Sequence, residues 1–539
     1  MEERYTIAGL IRAHAAEQPD DVMFVDGDER QTWDEHYRRA CQVARALEAE
    51  GLGLGDRVAF LDRNGTVHFE VLFGCALLGA VNVPLNWRLA AAEIAQIVAD
   101  SRTEVLVVHP DYARLLEHMD DGLPTVRRIV VIGDPKEGAD AGGATDAGRR
   151  VGYEDWLDAQ PASAPGHVGP PEEVSVQFYT SGTTGLPKGV MLTNSNLATA
   201  LHDAVGTFNI DDTTVSLIAM PLFHIGGSGW ALCGMSRGGK SVILRDVDPN
   251  EVLRLIETER VTATFVVPAV LMFLLVTPGV EDRDYSSLRD VFYGAAPIAE
   301  DVLINCMRVF KCRFTQLYGM TETPGTIAAL RAEDHDPGGP RHHLLRSAGT
   351  PLPGVELRIV VPDTNDEEAG VGHVGEIWAR SPYNMAGYWE NPAETATTIR
   401  DGWLHTGDAG YIDADGYLFL HDRIKDMVVT GGENVYPTEV ENVILSDPRV
   451  ADAAVIGVPD EKWGEAVKAI VVRASLRRSD GTEPVTEREL IALCKKRLAG
   501  FKCPKTVEFV ESLPRNPTGK VLKKDLRAPY WEGQARHIS

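Results

Sequence analysis

The sequence predicts an α/β protein: a large N-terminal domain of layered α/β sheets (1–424) and a small α+β C-terminal domain (425–539). Three observations carry that reading. The 539 residues suffice for more than one domain and a large core. The first two-thirds alternates short apolar runs with stretches of helical length. The residues after 425 change to a pattern of strand, strand, helix, strand.

The elements follow in chain order. Runs at 58–61, 105–108, 129–132, 174–178, 216–219, 242–244, 264–267 and 291–293 are almost continuously apolar. Such runs fit parallel strands covered on both faces. Helix-length stretches such as 68–80 and 249–259 separate several of them. The segment 136–171 is rich in Gly, Ala, Pro and Asp and reads largely as a mobile surface connection. In the last part, 455–458, 469–472 and 507–510 read as strands. Thr486 and Glu489 form a capping box ahead of Leu490, Ile491, Leu493, Cys494 and Leu498, which share one helical face. The boundary between the domains falls at 422–425.

Composition narrows the function classes. Lys plus Arg total 53 against 79 Asp plus Glu, a net charge of −26 that disfavours nucleic acid and anionic lipid. Seven cysteines without a CxxC pair show no disulfide framework or zinc cluster and point to a cytoplasmic location. The first residues are charged and lack the apolar core of a signal peptide. The longest apolar run, 265–276, is broken by Pro268 and is too short to span a membrane. Peripheral membrane contact and a homodimer both stay compatible with the sequence.

Tyr179-Thr-Ser-Gly-Thr-Thr-Gly-Leu-Pro-Lys-Gly189 is the strongest chemical signal. It follows a predicted strand. Its glycines let backbone amides approach an anion, while Ser181, Thr183 and Thr184 add hydroxyl donors and Lys188 a charge. This is a phosphate-gripping loop whose spacing departs from a Walker A sequence.

The loop resembles the signature of the adenylate-forming superfamily, which includes acyl-CoA synthetases, peptide-synthetase adenylation domains and firefly luciferase. Six further segments agree in the family's order: Gly294-Ala-Ala-Pro297, Tyr318-Gly-Met-Thr-Glu322, Trp403-Leu-His-Thr-Gly-Asp408, Asp422-Arg-Ile-Lys-Asp426, Gly431-Gly-Glu-Asn434 and Pro514-Arg-Asn-Pro-Thr-Gly-Lys520. The resemblance runs from about residue 5 to about 530.

The resemblance implies a role for each matching position. Thr180, Ser181, Gly182, Thr183, Thr184, Gly185 and Lys188 would grip the phosphates of ATP. Gly294, Ala295 and Ala296 would wall the adenine, and Tyr318, followed by Gly319, would stack on it. Thr321 would donate to the α-phosphate, and Glu322 would ligate Mg²⁺ as a hard oxygen donor. Asp408 would hold the ribose hydroxyls, with Arg423 at ribose or phosphate. Lys520 would bridge the entering carboxylate and the α-phosphate, two anions that must meet.

A thioester-forming step would use other residues. In the resembled family the C-terminal domain is mobile, and Lys425 stands at its pivot. Gly431 and Gly432 would line the pantetheine passage, and Trp463, Phe501 and Lys505 would contact the nucleotide of coenzyme A. His224 resembles an aromatic gate, and Ile225, Gly226, Gly227 and Trp230 would line the acyl pocket. Peptide-synthetase domains usually carry an Asp beside the gate; Ile225 stands here, which disfavours an amino acid substrate. The implied activity is AMP-forming ligation of a carboxylic acid, a medium- or long-chain fatty acid, to CoA. Transfer to a carrier protein and ligation of aryl or short branched acids are the alternatives.

Overall fold

The computed structural model describes residues 3–113, 123–133, 149–181, 187–362, 364, 366–423, 426–430, 433–460, 462–474, 483–515 and 521–532, with backbone alone at 3, 113, 181, 422, 423, 433 and 434. The chain divides into two compact units. One comprises 1–345, 349–356 and 380–404; the other comprises 346–348, 357–379 and 405–539.

The first unit holds two large sheets. In the nine-stranded sheet, parallel pairing runs from Arg313–Tyr318 through Asp290–Gly294, Ala263–Val266, Val215–Ile218 and Lys240–Ile243 to Val22–Asp26. Antiparallel strands flank this run, Ala328–Leu330 and then Thr350–Pro351 on one side and Glu29–Thr32 on the other. In the eight-stranded sheet, Val81–Pro84, Arg57–Leu61, Val105–Val108 and Arg128–Val131 run parallel, and Val174–Ser181 pairs antiparallel with Pro187–Thr193. The fully buried strands are the continuous apolar runs of the sequence, as double-sided cover requires. The helix Thr66–Leu78 buries every residue from His68 to Leu78, so it is covered on all sides rather than amphipathic.

Part of the segment expected to be a mobile connection is structured. Arg150–Gly152 is a strand on the edge of the eight-stranded sheet, and Tyr153–Asp158 is a helix that buries Tyr153, Trp156 and Leu157. The aromatic and aliphatic side chains of that helix outweigh the loop-like composition around them. Residues 136–148 of the same stretch lie outside the described residues.

The second unit carries two smaller sheets. One places Glu356–Val360, Gly375–Arg380 and Trp403–Ile412 side by side, with Leu418–Arg423 paired antiparallel to Trp403–Ile412. The sequence pattern did not reveal these strands, because their half-exposed residues break the apolar run. The other sheet pairs Val450–Asp460 with Gly464–Arg473 antiparallel and Thr506–Val510 with Gly464–Arg473 parallel. Helix Glu487–Arg497 covers it, started by the Thr486–Glu489 capping box. Its core gathers Val455, Ala469, Val471, Leu490, Cys494 and Val507. Among the described residues, no helix is long and apolar enough to cross a membrane.

A buried charge network fastens the first unit's helices. Glu70 is 2% exposed. Its carboxylate accepts from Arg39 Nε at 2.6 Å and from the Tyr153 hydroxyl at 2.7 Å. Burial alone would raise the Glu70 pKa, but the Arg39 hydrogen bond and its other partners hold it below the ordinary value. Glu70 therefore adds stability above its unfolded pKa, and that stability is lost as pH falls through the folded one. Arg39→Met strands the buried carboxylate. The expected result in urea denaturation at pH 7 is a loss of about 3–5 kcal/mol; a loss within 0.5 kcal/mol, the scale of an ordinary surface substitution, would show that the pair contributes nothing.

Candidate active site

The residues of the two central motifs meet where Asp290–Gly294 and Arg313–Tyr318 end side by side. Backbone packing there leaves no room for side chains. A Cβ at Gly294 would stand 2.1 Å from the Leu317 carbonyl oxygen, and one at Gly319 would stand 1.7 Å from the Gly325 carbonyl oxygen. Ala295 follows in the left-handed region with φ +63°, a conformation that costs a non-glycine residue about 1–2 kcal/mol. Such strain persists only where the surroundings hold it, and it concentrates at functional sites.

The turn after Tyr318 is fixed by its own hydrogen bonds. The amides of Thr323 and Gly325 both donate to the Met320 carbonyl at 3.1 Å, and the Met320 amide donates to the Thr323 hydroxyl at 3.1 Å. Thr321 and Glu322 ride on this turn. Glu322 is 6% exposed and accepts the Tyr388 hydroxyl at 2.9 Å. Burial, then the neighbouring Glu322, pushes the Tyr388 pKa well above its ordinary value, so Tyr388 stays a donor. Tyr388 comes from a short strand paired with Pro187–Thr193, and its ring lies 5.1 Å from Lys188 Nζ. Lys188 is ion-paired with Glu394. Lys188 and Glu322 thus flank one aromatic ring.

The strands on either side of the Gly/Thr loop form a hairpin in which Thr180 pairs with Lys188. Gly182, Thr183, Thr184 and Gly185 lie outside the described residues, as does the side chain of Ser181. Among the described residues, no three His, Cys, Asp or Glu side chains converge as a metal site. One buried carboxylate such as Glu322 is the donor set that Mg²⁺ uses when phosphate oxygens and water complete its shell.

The helix Ile225–Met235 brings its N-terminal end to the same turn. A Cβ at Gly325 would lie 3.9 Å from Ile225, and one at Gly226 would lie 3.1 Å from the Phe265 ring. His224 caps this helix and packs on Phe223 with ring centroids 4.5 Å apart. Its buried Nε2 has no hydrogen-bond partner among the described residues. Burial, and secondarily Arg88, lowers the His224 pKa to about 4, so the ring is neutral at pH 7. At Gly227 a Cβ would stand 2.2 Å from the Pro221 carbonyl oxygen, which makes it a packing glycine. Trp230 is buried deeper, with its Nε1 donating to the Leu217 carbonyl at 3.1 Å.

The second unit carries the remaining sites. Asp408 pairs across two antiparallel strands with Arg423, whose side chain lies outside the described residues. The strand segment before Asp408 is braced by Glu376, a residue the sequence reading missed. Glu376 accepts the Gly407 amide at 3.1 Å and the Trp378 indole at 2.9 Å, and it lies 3.7 Å from His405. Strand alternation would have put Glu376 and Trp378 on one face, but nothing local shows what they meet. Tyr388 was missed too, since a lone Tyr in a strand reads as core.

Asp460 gathers two of the CoA candidates. Its carboxylate accepts the Trp463 amide at 2.9 Å and Lys505 Nζ at 2.6 Å. Trp463 is 44% exposed. Phe501, 42% exposed, sits on a separate turn, and no described contact joins it to Trp463. Lys425, Gly431, Gly432 and Lys520 lie outside the described residues.

The model of AMP-binding enzymes matches residues 11–389, and that of their C-terminal domain matches 439–520. A fatty acid–[acyl-carrier-protein] ligase of Streptomyces coeruleorubidus is 40% identical over 99% of this chain and 98% of its own. A feruloyl-CoA synthase of Amycolatopsis is 38% identical over 93% of this chain and 94% of its own. A medium/long-chain-fatty-acid–CoA ligase of Mycobacterium tuberculosis is 35% identical over 99% of this chain and 91% of its own. Among solved structures, ATP-bound MatB from Rhodopseudomonas palustris aligns with a TM-score of 0.85 at 29% identity, covering 97% of this chain and 99% of that one. ATP, Mg²⁺ and CoA are the cofactors and co-substrates of that family. A match along nearly the whole length, with both domain models in order, makes this chain a member of the adenylate-forming AMP-binding enzymes, within their AMP-forming acid–thiol ligases.

Proposed function

We propose that this chain is an AMP-forming acyl-CoA ligase for medium- or long-chain fatty acids. The observation that carries the reading is the uncharged start of the 225–235 helix. There a neutral His224 and the aliphatic Ile225 stand beside the Tyr318–Gly325 turn. An amino acid would leave its ammonium unpaired in such a site, at a cost of several kcal/mol. An alkyl chain suits it.

In the first step a carboxylate oxygen attacks the α-phosphorus of ATP, and pyrophosphate leaves. Lys520 bridges the two anions as charge develops between them. Tyr318 and the 294–296 segment hold the adenine, Asp408 and Arg423 the ribose, and the 180–188 loop with Thr321 the phosphates. Glu322, oriented by Tyr388, would hold Mg²⁺. When bound, that ion offsets the phosphate charge as a Lewis acid. In the second step the CoA thiol attacks the acyl carbon, and AMP leaves. No covalent enzyme intermediate is required. The domain from 425 onward turns about Lys425 between the steps, and Gly431 and Gly432 leave room for the pantetheine arm. Trp463, Lys505 and Phe501 meet the CoA nucleotide; the shared Asp460 supports the first two as a pair.

A second reading is transfer to the phosphopantetheine thiol of a carrier protein. The relative at 40% identity, itself a carrier-protein ligase, favours it. An acid panel separates the two: alkanoates from acetate to palmitate, cinnamate, benzoate and amino acids. Pyrophosphate and thioester are measured with free CoA and with a phosphopantetheinylated carrier. Alkanoate-dependent thioester on free CoA is the expected result. Pyrophosphate release with thioester on the carrier alone would replace the proposal by the second reading.

Two substitutions test the assigned roles. Lys520→Ala is expected to slow adenylation about 10²–10³-fold while sparing turnover of preformed acyl-adenylate with CoA. Equal losses in both half-reactions of the folded variant would remove the role. Tyr388→Phe deletes the hydroxyl that Glu322 accepts. The Mg²⁺ concentration for half-maximal pyrophosphate release should rise about 10–100-fold. An unchanged Mg²⁺ curve would place Glu322 outside the metal site.

A further inference from the structure

The last described residues of the chain are held more firmly than their local sequence accounts for. Lys523–Arg527 is a helix of five residues, far short of the roughly 12–15 that an isolated helix needs in water. Its support is tertiary. Lys523 and Arg527 stand four positions apart and so share one helix face. Lys523 Nζ lies 3.0 Å from the Glu441 carboxylate, and Arg527 Nη2 lies 2.8 Å from the Asp426 carboxylate. All four side chains are between 11% and 13% exposed. Glu441 also accepts the Val455 amide at 2.7 Å, which ties it to the sheet. Val521, Leu526 and Tyr530 pack on the apolar cluster of Ile456 and Ile470, which takes Leu513 as well. The Trp531 indole donates to the Gly457 carbonyl at 3.0 Å.

These anchors stand on one side of residues 516–520, which lie outside the described residues. On the other side Arg515 is ion-paired with Asp452, and it forms a β-bridge with Val521. The Leu522 amide donates to the Pro514 carbonyl at 2.8 Å. The two flanks are thus fastened to each other and to the same sheet. The Arg527 pair has a further property: Asp426 adjoins Lys425, the proposed pivot, so the pair joins the start of the domain to its last helix. A covered ion pair gains little over apolar side chains of similar volume, because both charges lose water. Such pairs fix geometry more than they add stability.

We propose that Lys523 and Arg527 are positioning residues for adenylation. Through Glu441 and Asp426 they make the 521–531 segment one piece with the sheet, so that turning about Lys425 delivers Lys520 to one place. This rests on the roles proposed above for Lys520 and Lys425. The thioester step, assigned to Gly431, Gly432 and the Asp460 turn, needs no such placement.

The test follows both half-reactions of the full chain in single turnover: pyrophosphate release from ATP and acid, and thioester formation from preformed acyl-adenylate and CoA. Arg527→Met should slow the first about 10–100-fold, the scale of a small misplacement of a reacting group, and leave the second within about twofold. Lys523→Met should do the same and guards against a folding defect particular to Arg527. In a Lys520→Ala background Arg527→Met should add nothing, since it acts through the missing amine. Equal losses in both half-reactions, no loss in either, or a further loss in the Lys520→Ala background overturns the proposal. Lys520→Ala alone reads the underlying role: if it spares adenylation, that role fails by itself. Amide hydrogen exchange then decides the fastening without reference to catalysis. The Leu522 amide should exchange about tenfold faster or more in Arg527→Met, while the amides of 467–471 exchange as in wild type. An unchanged Leu522 amide overturns the proposal.

Discussion

Two backbone contacts organise the first unit's site. Gly294 lies against the Leu317 carbonyl, and Gly319 against the Gly325 carbonyl, each too close for any side chain. The strand ends and the following turn are therefore locked together, and the turn's amides are satisfied internally by Met320 and Thr323. Thr321 and Glu322 take their positions from that backbone, as does Ile225, which touches the turn at Gly325. The left-handed Ala295 stands at the same junction. A site whose geometry comes from backbone packing is preorganised, because nothing needs to reorder when a ligand arrives.

Charge is handled differently in different parts of the chain. Glu70 is sealed in the core with Arg39 and Tyr153 and fastens helices. Glu322, also buried, accepts the Tyr388 hydroxyl. Lys188 lies across the Tyr388 ring, balanced by Glu394. At the start of the neighbouring 225–235 helix, burial keeps His224 neutral and Ile225 is aliphatic. The Lys188–Glu322 side of this region is charged, and the His224–Ile225 side is apolar.

In the second unit, Asp408 depends on a strand-edge brace. Thr406 bonds both the Ile377 carbonyl, at 2.7 Å, and the Asp408 amide, at 3.1 Å. Glu376 fixes Gly407, where φ is +69°. The His405 and Trp378 rings stack 3.8 Å apart beside it. Thus the Trp403–Asp408 motif owes its shape to a neighbouring strand that carries no motif of its own.

Much of this was legible in the residues alone. The buried parallel strands announced themselves, because cover on both faces leaves an unbroken apolar run. The motifs were legible because their chemistry acts through short stretches of backbone at fixed spacing, as in Gly294-Ala-Ala and Tyr318-Gly-Met-Thr-Glu. The strands around Glu376 were hidden, since half-exposed alternation resembles loop. The helix at Tyr153 was hidden by the composition of its surroundings. The sequence by itself thus determined the family, the order of the chemical segments and the absence of a charge at Ile225. Only the tertiary structure decided that Tyr388 supports Glu322 across 66 residues and that Trp230 meets Phe292. Such contacts join elements distant in the chain, and no local spacing encodes which side chains the packed sheets bring face to face.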